Sequence, residues 1–190
     1  MSMYEKILDI LERKGPATIS SIYDELNNDC SDGFNENAYV QLSSIKSAIS
    51  RKKDLFLVEN NVVSILPEKQ ITQLVIEFQE QTNNWYKFII DFIQETYIFQ
   101  EWHRAPKQKS SSGGNIVIGN DFLSLKKEIY KLKIWDLTSN ELDEPLNKWT
   151  VTLKTVEKEY KIIGIDEKEK NWKRIEKVIS PFMDITSIIR

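Results

Sequence analysis

At 190 residues, with 41% hydrophobic, 11% aromatic and 29% charged positions, the chain has room for one medium domain or two small ones around a real core. Its net charge of −3 removes any global attraction to nucleic acid and counts against a non-specific DNA coat. One Cys30 and one His103 exclude a Cys/His zinc site, a two-histidine metal motif and an internal disulfide, and leave a histidine-based triad a single candidate base. No apolar run approaches the ~20 residues of a bilayer span. The opening MSMYEKILDILERKG carries acids and has helical periodicity, unlike a secretory signal. The expectation is a cytoplasmic protein, with no membrane contact and no metal or cofactor.

Tyr4, Ile7, Leu8 and Leu11 recur at helical spacing, and Gly15-Pro16 ends that helix. Thr18 is placed to cap a second helix with Ile19, Ile22, Tyr23 and Leu26 on its apolar face. The polar stretch NNDCSDGFNENAY, residues 27–39, reads as a loop. A third helix is predicted from about Leu42 to Lys53, with Ile45, Ala48 and Ile49 inward. Phe56 and Val58, then Val63 and Ile65, alternate on the arms of a hairpin turned by Asn60-Asn61, a residue type that tolerates positive φ. Three helices and a β-wing make a winged helix.

Residues 4–66, through "ILERKGPATISSIYDEL" and "LSSIKSAISRKKDLFLVENNVVSIL", resemble a winged-helix domain of the HARE-HTH type found in bacterial polymerase-associated and restriction-associated proteins. The 13-residue loop between helices two and three departs from the three- or four-residue turn of a simple helix-turn-helix. The outer face of helix three offers Ser43, Ser44, Lys46, Ser47, Ser50 and Arg51. Lys52 and Lys53 continue the charge towards the hairpin tip at Asn60 and Asn61. Small hydroxyls and flexible cations suit a phosphate backbone or base edges. The module holds seven basic residues against ten acidic ones, and four of the seven cations fall on this one helix. The opposing reading is an ordinary solvated helix face.

Beyond Pro67, Ile71, Leu74, Val75 and Phe78 read as one amphipathic helix, and Trp85, Phe88, Ile89, Phe92 and Ile93 as another. Residues 67–100 are therefore expected to be a helical connector between a winged helix at 1–66 and a further domain at 101–190. Lys107–Gly114 reads as a basic Ser/Gly-rich loop and Ile116-Val117-Ile118 as a short strand. The glycines lack the Gly-Lys-Ser/Thr ending of a nucleotide-binding loop. Arg104, Lys107 and Lys109 form a candidate second basic patch.

A helix from about Phe122 to Lys133 follows, with Leu125, Ile129 and Leu132 on one face. KWTVTLKTVEKEYKIIGI is the clearest hairpin, with Trp149, Val151 and Leu153 alternating on one arm and Tyr160, Ile162 and Gly164 on the other. A closing helix spans about Asn171 to Ile179, so this region is α+β. Trp135, Trp149, Asn171 and Trp172 give it a faint resemblance to an uncharacterised bacterial domain, which implies no activity. The tryptophans read as core anchors.

The resulting expectation is an α+β protein whose N-terminal winged helix binds DNA, in a transcriptional regulator or a DNA-recognition component of a mobile-element or phage-conflict system. The alternative is a non-catalytic protein-binding adaptor or inhibitor. A third reading is a metal-dependent nuclease, in which Asp143 or Glu144 precedes Glu159-Tyr160-Lys161 in the acid then Glu-x-Lys order of restriction-type enzymes.

Overall fold

The computed structural model describes residues 1–28, 39–79, 84–103, 108–115, 120–137, 148–164 and 172–178, with side chains except at 103, 108–115, 120, 121 and 148. The chain divides into two compact units, Met1–Gln70 and Ile71–Arg190. It is mixed α+β with two antiparallel sheets.

The first unit is built from α1 (Met3–Lys14), β1 (Ala17–Thr18), α2 (Ile19–Asn28), α3 (Leu42–Arg51), β2 (Phe56–Glu59) and β3 (Val62–Ile65). A capping box between Ser2 and Glu5 starts α1, and Gly15 at φ +78° ends it, the left-handed φ that a β-carbon disfavours. Thr18 caps α2 as expected, its Oγ1 accepting the Ser21 amide at 3.1 Å. The core joins Ile7, Leu8, Ile10 and Leu11 of α1 to Ile22, Ile45, Ala48, Ile49, Phe56, Val63 and Ile65, all buried. The expected inward face of α3 is thus present.

β3 pairs with both β1 and β2, giving the order β1-β3-β2. Asn60 and Asn61 have φ of 50° and 64°, the two positive values of a type I′ turn. Val58 differs from expectation. It shares the alternation of Phe56 but is 45% exposed, so the buried face of β2 is confined to its first residue. Asn27, expected in the loop, is buried in the last turn of α2.

The second unit corrects the helical connector. Residues 71–79 and 85–91 are strands, β4 (Ile71–Gln79) and β5 (Trp85–Asp91), followed by β6 (Thr96–His103) and β7 (Gln108–Asn115). The remaining elements are α4 (Asn120–Leu132), a 3-10 turn (Ile134–Asp136), β8 (Lys148–Thr155), β9 (Glu159–Gly164) and a helix at 172–178. The sheet order is β7-β6-β5-β4-β8-β9, antiparallel throughout.

The false helical stripe has a physical origin. Leu74, Ile76 and Phe78 alternate on one face, opposite Ile90, Phe88 and Tyr86 of β5 and Leu153, Val151 and Trp149 of β8. A bulge between Ile71 and Gln73 turns Ile71 inward out of phase, so a spacing of three enters a period-2 strand. The Ile71 amide donates to the Tyr130 hydroxyl of α4 at 3.3 Å. The expected loop at 107–114 is likewise corrected: Gln108–Asn115 pairs along β6 from His103↔Gln108 to Thr96↔Asn115. Ile116-Val117-Ile118 lies outside the described residues.

One face of the sheet is covered by helices. Trp172 stacks on Phe78 at 5.5 Å and lies 5.4 Å from Trp149, while Phe122 of α4 meets Phe92 at 5.4 Å. Phe122, Leu125, Ile129 and Leu132 are buried there, as are Trp149 and Trp172, the expected core anchors. The expected β8–β9 hairpin is present, and its two alternating arms pair as Trp149↔Gly164, Val151↔Ile162 and Leu153↔Tyr160.

Candidate nucleic-acid interface

α3 owes its exposed face to the spacing of its buried residues. With Ile45, Ala48 and Ile49 inward, Ser43, Ser44, Lys46, Ser47, Ser50 and Arg51 are all exposed, as are Lys53, Asn60 and Asn61. Lys52 is half-buried, its ammonium 4.6 Å from the centre of the Tyr4 ring. That places it in a cation–π contact within the unit.

The exposed side chains do not form one surface. Lys46 and Arg51, five residues apart, stand roughly 140° apart around the helix axis. Lys46 lines a cleft of about 680 Å³ with Asn61 of the hairpin tip, Thr18, Tyr23, Tyr39 and Gln41. Ser43, Ser44, Ser47 and Arg51 line a separate groove of about 510 Å³ with Ser2 and Tyr4 at the start of α1. Arg51 Nε also donates to the Ser47 carbonyl at 3.2 Å, one turn back.

The electrostatics of the unit separate its cations into two sets. Arg13 and Lys14 are committed to acids: Arg13 Nε meets Asp9 at 3.1 Å, and Arg13 and Lys14 both meet Glu25. The hydrogen bond from Lys14, with the nearby positive charges, holds the Glu25 carboxyl below the usual carboxylate range against the opposing effect of burial. Lys46, Arg51 and Lys53, with Lys6 of α1, make no ion pair among the described residues. No acid occupies the first turn of α3, and its N-cap Gln41 makes no capping hydrogen bond, so the positive end of the helix dipole is uncompensated there. Asp54 and Glu59 are exposed nearby and oppose this field.

Tyr39 and Gln41 are cleft residues that the pattern of α3 alone missed. They precede the helix and so lie outside its periodic pattern, and Thr18, the cap of α2, lines the same cleft. A buried amide holds them in place. Asn27 Oδ1 accepts the Val40 amide at 2.8 Å, and its Nδ2 donates to the carbonyls of Tyr23 at 2.9 Å and Val40 at 3.3 Å.

Of the second basic patch, Arg104 and Lys107 lie outside the described residues, and Lys109 lies in β7 opposite Trp102. Glu159 and Lys161 are both exposed on β9, while Asp143 and Glu144 lie outside the described residues. Among the described residues no group of three His, Cys, Asp or Glu side chains is placed to hold a metal ion. Nor is any described helix long and apolar enough to cross a membrane. No family model matches the chain, and no curated protein matches it significantly.

Proposed function

We propose that the first unit is a winged helix of the HARE-HTH kind and that it binds double-stranded DNA, in a cytoplasmic regulator of transcription or a DNA-recognition component of a mobile-element or phage-conflict system. The observation that carries this reading is the sorting of cations. Arg13 and Lys14 are paired with acids, whereas Lys46, Arg51 and Lys53, three of the four cations of the α3 region, make no described ion pair, as is also true of Lys6 on α1. In this reading α3 approaches the major groove with Lys46, Ser47, Ser50 and Arg51, and the Asn60-Asn61 tip flanks it.

Binding should be measured by fluorescence anisotropy of a labelled mixed-sequence duplex over several salt concentrations, for the full chain and its Lys46→Ala/Arg51→Ala variant. The expected result is affinity that falls with salt at a log–log slope of about −0.9 per neutralised phosphate, and a shallower slope for the variant. No binding at low salt, or equal slopes, would remove the DNA reading.

The second reading is a non-catalytic adaptor that grips a protein through the same unit. Tyr39 at 57% and Leu42 at 41% exposure favour it, because both line the same cleft and exposed large apolar side chains that adjoin suit a protein contact. A partner that co-purifies independently of salt and is lost on Leu42→Asp would select this reading over DNA.

A further inference from the structure

The register of the six-stranded sheet lines up one row across five strands: Lys148 of β8, Gln79 of β4, Trp85 of β5, Trp102 of β6 and Lys109 of β7. Successive residues of a strand alternate between faces, so this row lies opposite the face of Phe78 and Trp149. The described ring contacts of Phe122 and Trp172 fall on that other face. Trp85 and Trp102 are half-buried, their rings 4.1 Å apart and tilted by 55°. The next row on the same face is Thr150, Glu77, Lys87, Gln100 and Ser111. There the Lys87 ammonium lies 2.9 Å from Glu77 and 5.9 Å from the centre of the Trp85 ring.

We propose that this end of the face binds single-stranded nucleic acid, its bases stacked on Trp85 and Trp102 and its phosphates neutralised by Lys109 and Lys148. Charge selects a polyanion. The two rows hold three lysines against one acid, and that acid, Glu77, is already paired with Lys87. Over the whole face the register adds Lys154 and Lys161, making five lysines against Glu77, Asp91 and Glu159. Asp91 and Glu159 share a row with Lys154, six residues along the strands from the tryptophan row, or about 20 Å. That is more than twice the ~8 Å Debye length of physiological salt, so they take little from the positive end. The Asp91 carboxylate is also engaged locally, accepting the Ile93 and Gln94 amides at 2.9 Å.

The row also chooses single strands over a duplex. An indole stacks on the open face of a base, which a duplex keeps inside its own stack. Aromatic side chains on a sheet take up two or three unpaired bases in this way. Lys109 and Lys148 lie four strand spacings apart, about 19 Å, with both tryptophans between them. Gln79 and Gln100 supply amides that both donate and accept at base edges. A protein partner would call for a broader apolar patch, and here Val75, Ile89 and Ile98 make one short row between Thr152 and Gly113. A cross-strand pair of tryptophans also steadies the β5–β6 hairpin, so folding is measured beside binding. The site lies in the second unit and does not rest on the reading of α3.

The test is fluorescence anisotropy of short labelled oligo-dT and oligo-U strands with the full chain over several salt concentrations, circular dichroism checking the fold of each variant. Binding is expected with a log–log salt slope of about −0.7 per neutralised phosphate, and the tighter strand identifies DNA or RNA as the ligand. Trp102→Ala should weaken binding about tenfold, and Trp102→Phe should recover most of it, because a phenyl ring still stacks. Lys109→Ala/Lys148→Ala should reduce the magnitude of the slope by about 1.4 and is the arm that leaves the tryptophan pair in place. Lys46→Ala/Arg51→Ala in the first unit should bind single strands as wild type does, which separates this site from duplex binding by α3. No binding of either strand at low salt would overturn the proposal. So would an unchanged slope in the Lys109/Lys148 variant, a Trp102→Phe variant no better than Trp102→Ala, or loss of single-strand binding in the Lys46/Arg51 variant.

Discussion

Asn27 and Val40 hold each other by a two-way bond: the Asn27 carboxamide accepts the Val40 amide at 2.8 Å and donates to the Val40 carbonyl at 3.3 Å. The two residues are 13 positions apart. One buried side chain thereby closes the connection between α2 and α3 and sets the wall of the cleft that contains Lys46.

Replacing Asn27 by Ala leaves the Val40 amide and carbonyl without their side-chain partner. The expected cost is ~1–3 kcal/mol, the penalty for a polar group stripped of its hydrogen bond in a partly buried site. Chemical denaturation measures it. Hydrogen exchange should show the Val40 amide losing protection before the amides of the α1 core.

Gly164→Ala is expected to be among the most damaging small substitutions in the second unit. A β-carbon there falls well inside contact distance of Cζ2 and Cε2 of Trp149, and Trp149 is itself 1% exposed. Overpacking of this kind costs ~1–3 kcal/mol. The denaturation midpoint should drop, and the tryptophan emission should shift as the indole is displaced.

The Glu25 carboxyl, lowered chiefly by the Lys14 hydrogen bond, predicts an acid-side dependence. A group whose pKa falls on folding adds stability above its unfolded value, here near the ordinary 4.5, and that stability disappears as pH drops through the lower folded value. Glu25→Gln should therefore be less stable than wild type near neutrality, and the two should converge in acid. A constant difference at every pH would contradict the assignment.

At the hairpin tip, Asn61 holds a φ of 64°. Asn61→Gly should leave stability unchanged or slightly raised. Asn61→Val should lose ~1–2 kcal/mol, because a β-branched residue is poorly accommodated in the left-handed region. Thermal melts of the two variants give the comparison.

Three of the four cations of α3 and its end should separate in function. Lys46→Ala and Arg51→Ala should each reduce the magnitude of the DNA salt slope by ~0.9. Lys52→Ala should instead lower stability by ~0.5–1 kcal/mol through loss of the Tyr4 contact, with a smaller change in slope. Equal slope changes for all three would contradict this division.

Several elements were legible because their information is local. The turns of α1 and α3, the Thr18 cap, the two asparagines of the turn and the alternating arms of β8 and β9 each depend on residues a few positions apart. The candidate site was legible only as a list. That Lys46 belongs to one cleft and Arg51 to another groove follows from what packs on either side of α3, namely Asn61 and Tyr39 on one side and Tyr4 on the other. Likewise, nothing in the run RKK distinguishes Lys52, because its ring partner sits near the start of the chain.

The sequence by itself determined the α+β class, the helices of the first unit and the hairpins turned by short local signals, because propensity, capping and turn chemistry act over neighbouring residues. Only the tertiary structure decided that residues 71–79 and 85–91 are strands. Val75 and Ile89 place apolar residues on the second face and blur the period of two, the bulge after Ile71 adds a helix-like spacing, and β8, which pairs along β4 on the side away from β5, begins far downstream at Lys148. A pairing over that distance is settled by packing, which no local window contains.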